Sequence, residues 1–148
     1  MKEKCSLIIG SSGFIGSKLK ERLSKKNTYT LSKQYKSNIE SDGHYFIDLL
    51  KKQEVSMLFD HLASKYHLIE IYYLAGESSV ENSLESPNLS IQNSIECLTN
   101  LLECAVKVNT KLLFASSGAI YDSRIKNFLD EESPILPPSP YATIKASS

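Results

Sequence analysis

The chain alternates short apolar runs with longer stretches in which apolar residues recur at helical spacing. Leu7, Ile8 and Ile9 form a run that ends in Gly10, a length that suits a buried strand better than a helix. Gly-Ser-Ser-Gly-Phe-Ile-Gly follows over residues 10–16, and Ile15, Leu19 and Leu23 then recur every four residues among Lys, Glu and Arg. That spacing predicts an amphipathic helix stopping near Asn27. Tyr29 to Leu31 reads as a second strand, Lys33 to Gly43 as polar loop, and Tyr45, Phe46, Ile47 and Leu49 around Asp48 as a third strand. Val55, Leu58, Phe59 and Leu62 fall at i, i+3, i+4 and i+7, predicting a helix from about Lys51 to Tyr66. Leu68 to Ala75 reads as the fourth strand, and Ser86-Pro87 starts a helix continued by Ile91, Ile95, Leu98, Leu102 and Ala105. Lys111 to Ala115 is the fifth predicted strand, Ser116 to Pro138 a loop with a Pro-rich end, and Ser139-Pro140 the start of a last helix.

Strands alternating with helices predict an α/β fold with a doubly wound parallel sheet and right-handed crossovers. The expected organisation is one domain over residues 1–148, with Asp122 to Pro138 the one candidate linker. Composition narrows the class. A chain of 148 residues with 41% apolar and 23% charged residues belongs with globular domains. Its 17 Lys plus Arg balance 17 Asp plus Glu, so the basic footprint of a nucleic-acid or anionic-membrane partner is missing. Cys5, Cys97 and Cys104 are odd in number and sit in apolar periodic segments, as buried free thiols do. A reducing compartment and a cytoplasmic location are therefore expected, since no leader-like run or membrane-length apolar stretch is present in the sequence. His44, His61 and His67 lack metal-ligand spacing, so no metal is expected.

Candidate chemistry begins at the glycines. Gly10, Gly13 and Gly16 lie between the first strand and the first helix. There glycine permits a tight turn, approach of backbone N–H groups to a pyrophosphate, and close packing of helix on strand. The spacing G-x-x-G-x-x-G differs from the G-x-G-x-x-G fingerprint and also suits an ordinary strand-to-helix turn. No carboxylate closes the second strand, where Ser32, Lys33 and Gln34 stand. A carboxylate there binds the ribose 2'-hydroxyl of NAD, whereas Lys or Ser can face a 2'-phosphate, so NADP is mildly favoured over NAD. Lys33 as a solvated loop charge is the alternative.

Tyr141 and Lys145 lie four apart just inside the last helix, on one face. The ammonium of Lys145 and the positive helix N-terminus both favour a phenolate, which can take a hydroxyl proton while a hydride leaves the same carbon. Ser117, at the end of the fifth strand, belongs where strand ends meet ligands in open α/β sheets and can hydrogen-bond the same oxygen. Taken alone, such a pair also suits a packed Tyr stem beside a solvated Lys.

Together these residues resemble the extended short-chain dehydrogenase/reductase family, the NAD-dependent epimerases and dehydratases of nucleotide sugars. Six ordered motifs carry the resemblance. Gly10-Ser11-Ser12-Gly13-Phe14-Ile15-Gly16 is similar to the family's phosphate-binding turn, and Asp48-Leu49 to its adenine-recognising pair. Leu74-Ala75-Gly76 is similar to the fourth-strand motif beside the cofactor ribose and phosphates. Asn93, followed by Asn100-Leu101-Leu102-Glu103, resembles the long helix with its structural Asn. Ser116 to Tyr121 resembles the catalytic Ser segment, with Ser117 the matching position, and Tyr141 with Lys145 matches Y-x-x-x-K.

The resemblance implies Ser117, Tyr141 and Lys145 as catalytic residues. It implies cofactor contacts from Gly10, Gly13, Phe14, Ile15, Gly16, Asp48, Leu49, Leu74, Ala75, Gly76, Asn93, Tyr141 and Lys145, joined by Lys33. Departures narrow it. Glu96 and Cys97 replace the usual Gly and Thr, and Asp122 replaces a Gly. The 4,6-dehydratases need a carboxylate shortly after the catalytic Ser, where Gly118 and Ala119 stand, although residues 74–80 resemble a stretch of GDP-mannose dehydratases. An epimerase or ketoreductase acting on a nucleotide sugar is therefore expected, of the isomerase or oxidoreductase type found in polysaccharide biosynthesis. A 4,6-dehydratase and a catalytically silent dinucleotide-binding or interaction module are the alternatives. Family members continue well beyond Lys145 into a region that holds the sugar nucleotide, so this chain is expected to be the cofactor portion, binding cofactor without turnover. The helix after Pro87 and the helix starting at Ser139 are candidate homodimer surfaces.

Overall fold

The computed structural model describes residues 3–23, 26–33, 40–41, 43–76, 79–125 and 128–148. They form two compact units, Met1–Gly76 with Glu96–Ala115, and Glu77–Ile95 with Ser116–Ser148.

The first unit is built on one sheet. Its strands are β1 (Lys4–Ile9), β2 (Thr28–Ser32), β3 (Glu40–Ser41), β4 (His44–Phe46), β5 (Leu68–Tyr73) and β6 (Thr110–Phe114), in the order β3-β4-β2-β1-β5-β6. All neighbours run parallel except β3, which pairs antiparallel with β4 at the edge. The chain thus moves outward from β1 through β2 to β4, then returns to lay β5 on the other side of β1. This return is the topological switch point of a doubly wound α/β sheet, where strand ends open toward ligands.

Period-two alternation sends Cys5, Leu7 and Ile9 of β1 to one face, where Leu31, Tyr45, Ile69, Ile71 and Tyr73 join them. That face is closed by α2 (Lys52–Lys65), which buries Val55, Leu58, Phe59 and Leu62. It is closed also by the later turns of α4 (Pro87–Ala105), through Leu98, Leu101, Cys104 and Ala105. Helix α1 (Phe14–Arg22) packs on β1, with only Gly16 fully buried. The second unit holds α3 (Val80–Glu85), the first turns of α4, a 3-10 turn at Gly118–Ile120 and α5 (Pro140–Ser147), with α3 and the 3-10 turn both packed on α5. Tyr121 and Ile135 form an isolated antiparallel bridge.

Several expectations are corrected. Helix α1 ends at Arg22 rather than near Asn27: the Leu23 N–H still reaches the Leu19 carbonyl, but Asn27 takes a left-handed φ of 62° and its carbonyl pairs with Ser6. Ile15, read as part of the helix's apolar stripe, is 62% exposed, and Gly16 is the residue that packs against the Gly10–Ser11 backbone after β1. The stretch from Lys33 to Gly43 contains β3, and the loop from Ser116 to Pro138 contains the 3-10 turn. Helix α3, between the fourth predicted strand and Pro87, escaped the periodicity reading because six residues are too few to show a period. Gln34, considered at the end of β2, lies outside the described residues.

Candidate functional site

In the first unit the glycine turn sits at the switch point. Gly10 has φ +93°, and a Cβ there would lie 2.6 Å from the backbone nitrogen of Ala75 and 2.8 Å from the carbonyl carbon of Leu74. A side chain on Gly16 would run into the Gly10 carbonyl oxygen. These two glycines are therefore demanded by the fold itself, because backbone cannot give way. Gly13 differs: its φ is −73°, and a Cβ would meet only the Gly10 oxygen, at an ordinary 3.4 Å. Nothing internal requires glycine there, which leaves clearance for something outside the chain.

Gly13 is also the N-cap of α1, without a side-chain cap and without a carboxylate in the first turn. The first-turn N–H groups keep their positive potential, the arrangement that receives a phosphate. Phe14, 85% exposed, and Ile15 flank the turn on the solvent side. The site fits a pyrophosphate.

Asp48 and Leu49 follow β4. Asp48 Oδ1 accepts from the Leu50 N–H at 3.1 Å, and Oδ2 pairs with Lys33 Nζ at 3.1 Å. Burial pushes the carboxyl up, but the Leu50 N–H and the Lys33 ammonium outweigh it and hold Asp48 below the usual carboxylate range. Lys33 thus pairs with Asp48 while its side chain stays 54% exposed. The Leu49 and Leu50 carbonyls are held by Asn100 Nδ2, at 2.9 and 3.3 Å, from the buried face of α4. Asn100 was legible as part of a motif but its task was not, since its partners lie fifty residues away. Leu74 continues the β5 ladder through its N–H to Ile9, and Gly76 has φ +127°. Burial pushes the Cys97 thiol up to about 11, with the Asp48 charge adding, which favours the protonated thiol.

In the second unit, Ser117 is extended and its Oγ accepts from the Ala119 N–H at 3.2 Å, which leaves the hydroxyl hydrogen to donate. Ser116 Oγ donates to the Lys145 carbonyl at 3.2 Å, tying the serine segment to the helix that carries Lys145. Helix α5 begins as its Ser-Pro pair predicts: Ser139 Oγ accepts from the Ala142 N–H at 3.2 Å, and Pro140 fills the first position. Tyr141 and Lys145 are both half-buried on this helix. Asn93 is exposed on the early part of α4. Ser117, Tyr141 and Lys145 thus share one unit, while Gly10, Gly13, Gly16, Lys33, Asp48, Leu49 and Leu74 to Gly76 share the other. Sequence reasoning missed Ser83, whose Oγ accepts from the Tyr141 N–H at 3.1 Å.

Comparison with known proteins agrees with this geometry. Residues 6–148 match the model of the NAD dependent epimerase/dehydratase family. Protein CapI of Staphylococcus aureus is 29% identical over 96% of this chain and 46% of its own length. A UDP-N-acetyl-alpha-D-glucosaminuronate decarboxylase of Bacillus cytotoxicus is 28% identical over 89% of this chain and 42% of its own. The UDP-glucose 4-epimerase of Thermus thermophilus, solved as a complex with NAD, superposes with a TM-score of 0.78 at 30% identity, over 97% of this chain and 48% of its own. The chain spans about half the length of these relatives. Among the described residues no helix is long and apolar enough to cross a membrane. A family match over nearly the whole chain, on a doubly wound sheet, means that this chain belongs to the NAD dependent epimerase/dehydratase family.

Proposed function

We propose that the chain is the cofactor-binding portion of an NAD(P)-dependent epimerase or ketoreductase acting on a nucleotide-activated sugar. The observation that supports this reading most is Gly13, a glycine with ordinary φ at the start of α1, where no side chain caps the first-turn N–H groups and a ligand's phosphates could approach them. The adenine end of the dinucleotide lies by Asp48 and Leu49 in this reading, and the nicotinamide ribose is held by Lys145.

When bound, the nicotinamide supplies a hydride acceptor and donor. The rest falls to the chain's own groups. Tyr141 takes the proton of a sugar hydroxyl at its phenolic oxygen as the carbon loses its hydride, and returns it in the reverse step. In this reading the Ser117 hydroxyl donates to the reacting sugar oxygen and orients it. With Gly118 and Ala119 after Ser117, elimination of water has no carboxylate to drive it at those positions. This separates the reading from a 4,6-dehydratase.

Tyr141→Phe removes only the ionisable oxygen. Joined to the sugar-binding half, the variant should lose about 10²- to 10⁴-fold in turnover while calorimetry finds cofactor affinity unchanged. Full turnover in the variant would sink the mechanism. The preference for NADP rests on Lys33, whose ammonium would exchange Asp48 for the 2'-phosphate. Tighter binding of NAD than NADP at equal salt would reject it, and Lys33→Asp should shift preference toward NAD. A homodimer through α5 and the first turns of α4, where Leu89 and Ile91 are exposed, completes the proposal, and sedimentation equilibrium tests it. A cytoplasmic setting is proposed from the three free thiols.

A further inference from the structure

The first turn of α5 can be accounted for donor by donor. Pro140 occupies the first helical position and has no N–H. The Ala142 N–H goes to Ser139 Oγ at 3.2 Å, and the Thr143 N–H goes to the Ser139 carbonyl at 2.8 Å. One orphan donor remains, the N–H of Tyr141 itself, and it goes to Ser83 Oγ at 3.1 Å, 58 residues earlier in the chain. Ser83 is 0% exposed. Its hydroxyl hydrogen is spent on the Val80 carbonyl of its own helix, at 2.6 Å, which aims an oxygen lone pair at Tyr141. A buried hydroxyl is costly unless both of its capacities are met, and here both are.

We infer that Ser83 is a positioning residue for Tyr141: it completes the cap of α5 from outside the helix and fixes the backbone from which the phenol projects. The inference rests on the reading of Tyr141 as the proton-transferring group. The other end of α5 is held independently, by Ser116 on the Lys145 carbonyl. Loss of the Ser83 acceptor therefore leaves the Tyr141 N–H without its partner, while Ser139 still holds Ala142 and Thr143 and Ser116 still holds the Lys145 carbonyl. The phenol swings relative to Lys145 and Ser117, and a proton acceptor displaced by even about 1 Å loses much of its rate.

Amide hydrogen exchange on the 15N-labelled chain reads this directly. Ser83→Ala should speed exchange at the Tyr141 N–H by about tenfold while Ala142, still under Ser139, changes little, and Ser139→Ala should do the reverse. The 13Cζ resonance of Tyr141 should move in Ser83→Ala while that of Tyr121, in the same unit, stays. Should Ser83→Ala fail to fold, Ser83→Cys, close in volume but a poor acceptor, should give the same selective increase. Where turnover is measured, Ser83→Ala should lower kcat about tenfold and leave the cofactor KM unchanged. Exchange at Tyr141 that is unmoved, or that rises equally at Ala142, overturns the inference by reducing Ser83 to packing. An active Tyr141→Phe enzyme would instead remove the catalytic reading while the exchange result stood.

Discussion

The two units hold themselves together differently. The first is an apolar sandwich: Leu7, Ile9, Phe59, Leu62, Ile71 and Leu101 are each at most 1% exposed, and they join into one cluster. In the second, the buried residues among those described are Ser83, Ala142 and Ile144, while Leu84, Leu89, Phe128 and Leu136 stand exposed. Hydroxyl bonds to backbone run through it, by Ser79, Ser83, Ser116, Ser117 and Ser139. Apolar burial is non-directional and contributes in proportion to area, whereas each net hydrogen bond is worth only about 0.5–1.5 kcal/mol but fixes a direction. The proposed phosphate site lies on the unit with the apolar core, and the proposed proton-transfer residues lie on the unit with these hydroxyl bonds. Low local stability is common where catalytic groups must adjust to a ligand.

The contrast is broken hardest by Phe59→Ala. Phe59 is 1% exposed under the sheet, so its truncation should cost about 3–5 kcal/mol in urea unfolding. An effect below about 1 kcal/mol would mean that the sheet core is not what stabilises the first unit.

Gly13→Val sharpens the contrast within the first unit. With φ −73° and a Cβ in ordinary 3.4 Å contact with the Gly10 oxygen, the valine should leave the urea midpoint in place, yet cofactor affinity should fall about 10²-fold because the pyrophosphate can no longer reach the turn. Calorimetry of both cofactors checks it, and unchanged affinity would place the site elsewhere.

Alkaline pH should act on the first unit as well. Burial, with the Glu70 charge adding, pushes the Cys5 thiol up to about 12. An unfolded thiol loses its proton near about pH 8.5. Between those values the unfolded state binds fewer protons than the folded one, so unfolding free energy falls as pH rises. The contribution is intact below about pH 8.5 and is lost toward pH 12. Urea midpoints at neutral and alkaline pH should diverge less in Cys5→Ala than in the parent chain.

The smallest effect belongs to the second unit. Ser139→Ala removes the α5 cap and should cost about 1 kcal/mol. Hydrogen exchange should find the loss at Ala142, with the Tyr141 amide, still held by Ser83, and the β1 and β5 amides little affected. Equal loosening of β1 would contradict the division of labour between the two units.

What the sequence determined by itself is what short-range chemistry encodes. The i, i+3, i+4, i+7 spacing of Val55, Leu58, Phe59 and Leu62 places α2 to within a residue at each end, because one helix face and one burial pattern are the same fact. Ser139-Pro140 marks the start of α5 because cap and helix are neighbours in the chain. The glycine turn was legible for the same reason, lying between an apolar run and a periodic stretch. Helix α3 was not, since six residues carry no period, and neither was the exposure of Ile15, beside a Gly16 that packs against the Gly10–Ser11 backbone. Only the tertiary structure distinguishes Gly13, where a Cβ would meet the Gly10 oxygen at an ordinary 3.4 Å, from Gly10 and Gly16, which nearby backbone forbids to change. Only it pairs Asn100 with the Leu49 carbonyl and Ser83 with the Tyr141 N–H. A buried donor and its acceptor are matched by packing across the fold, and no local pattern of residues records which partner packing will bring.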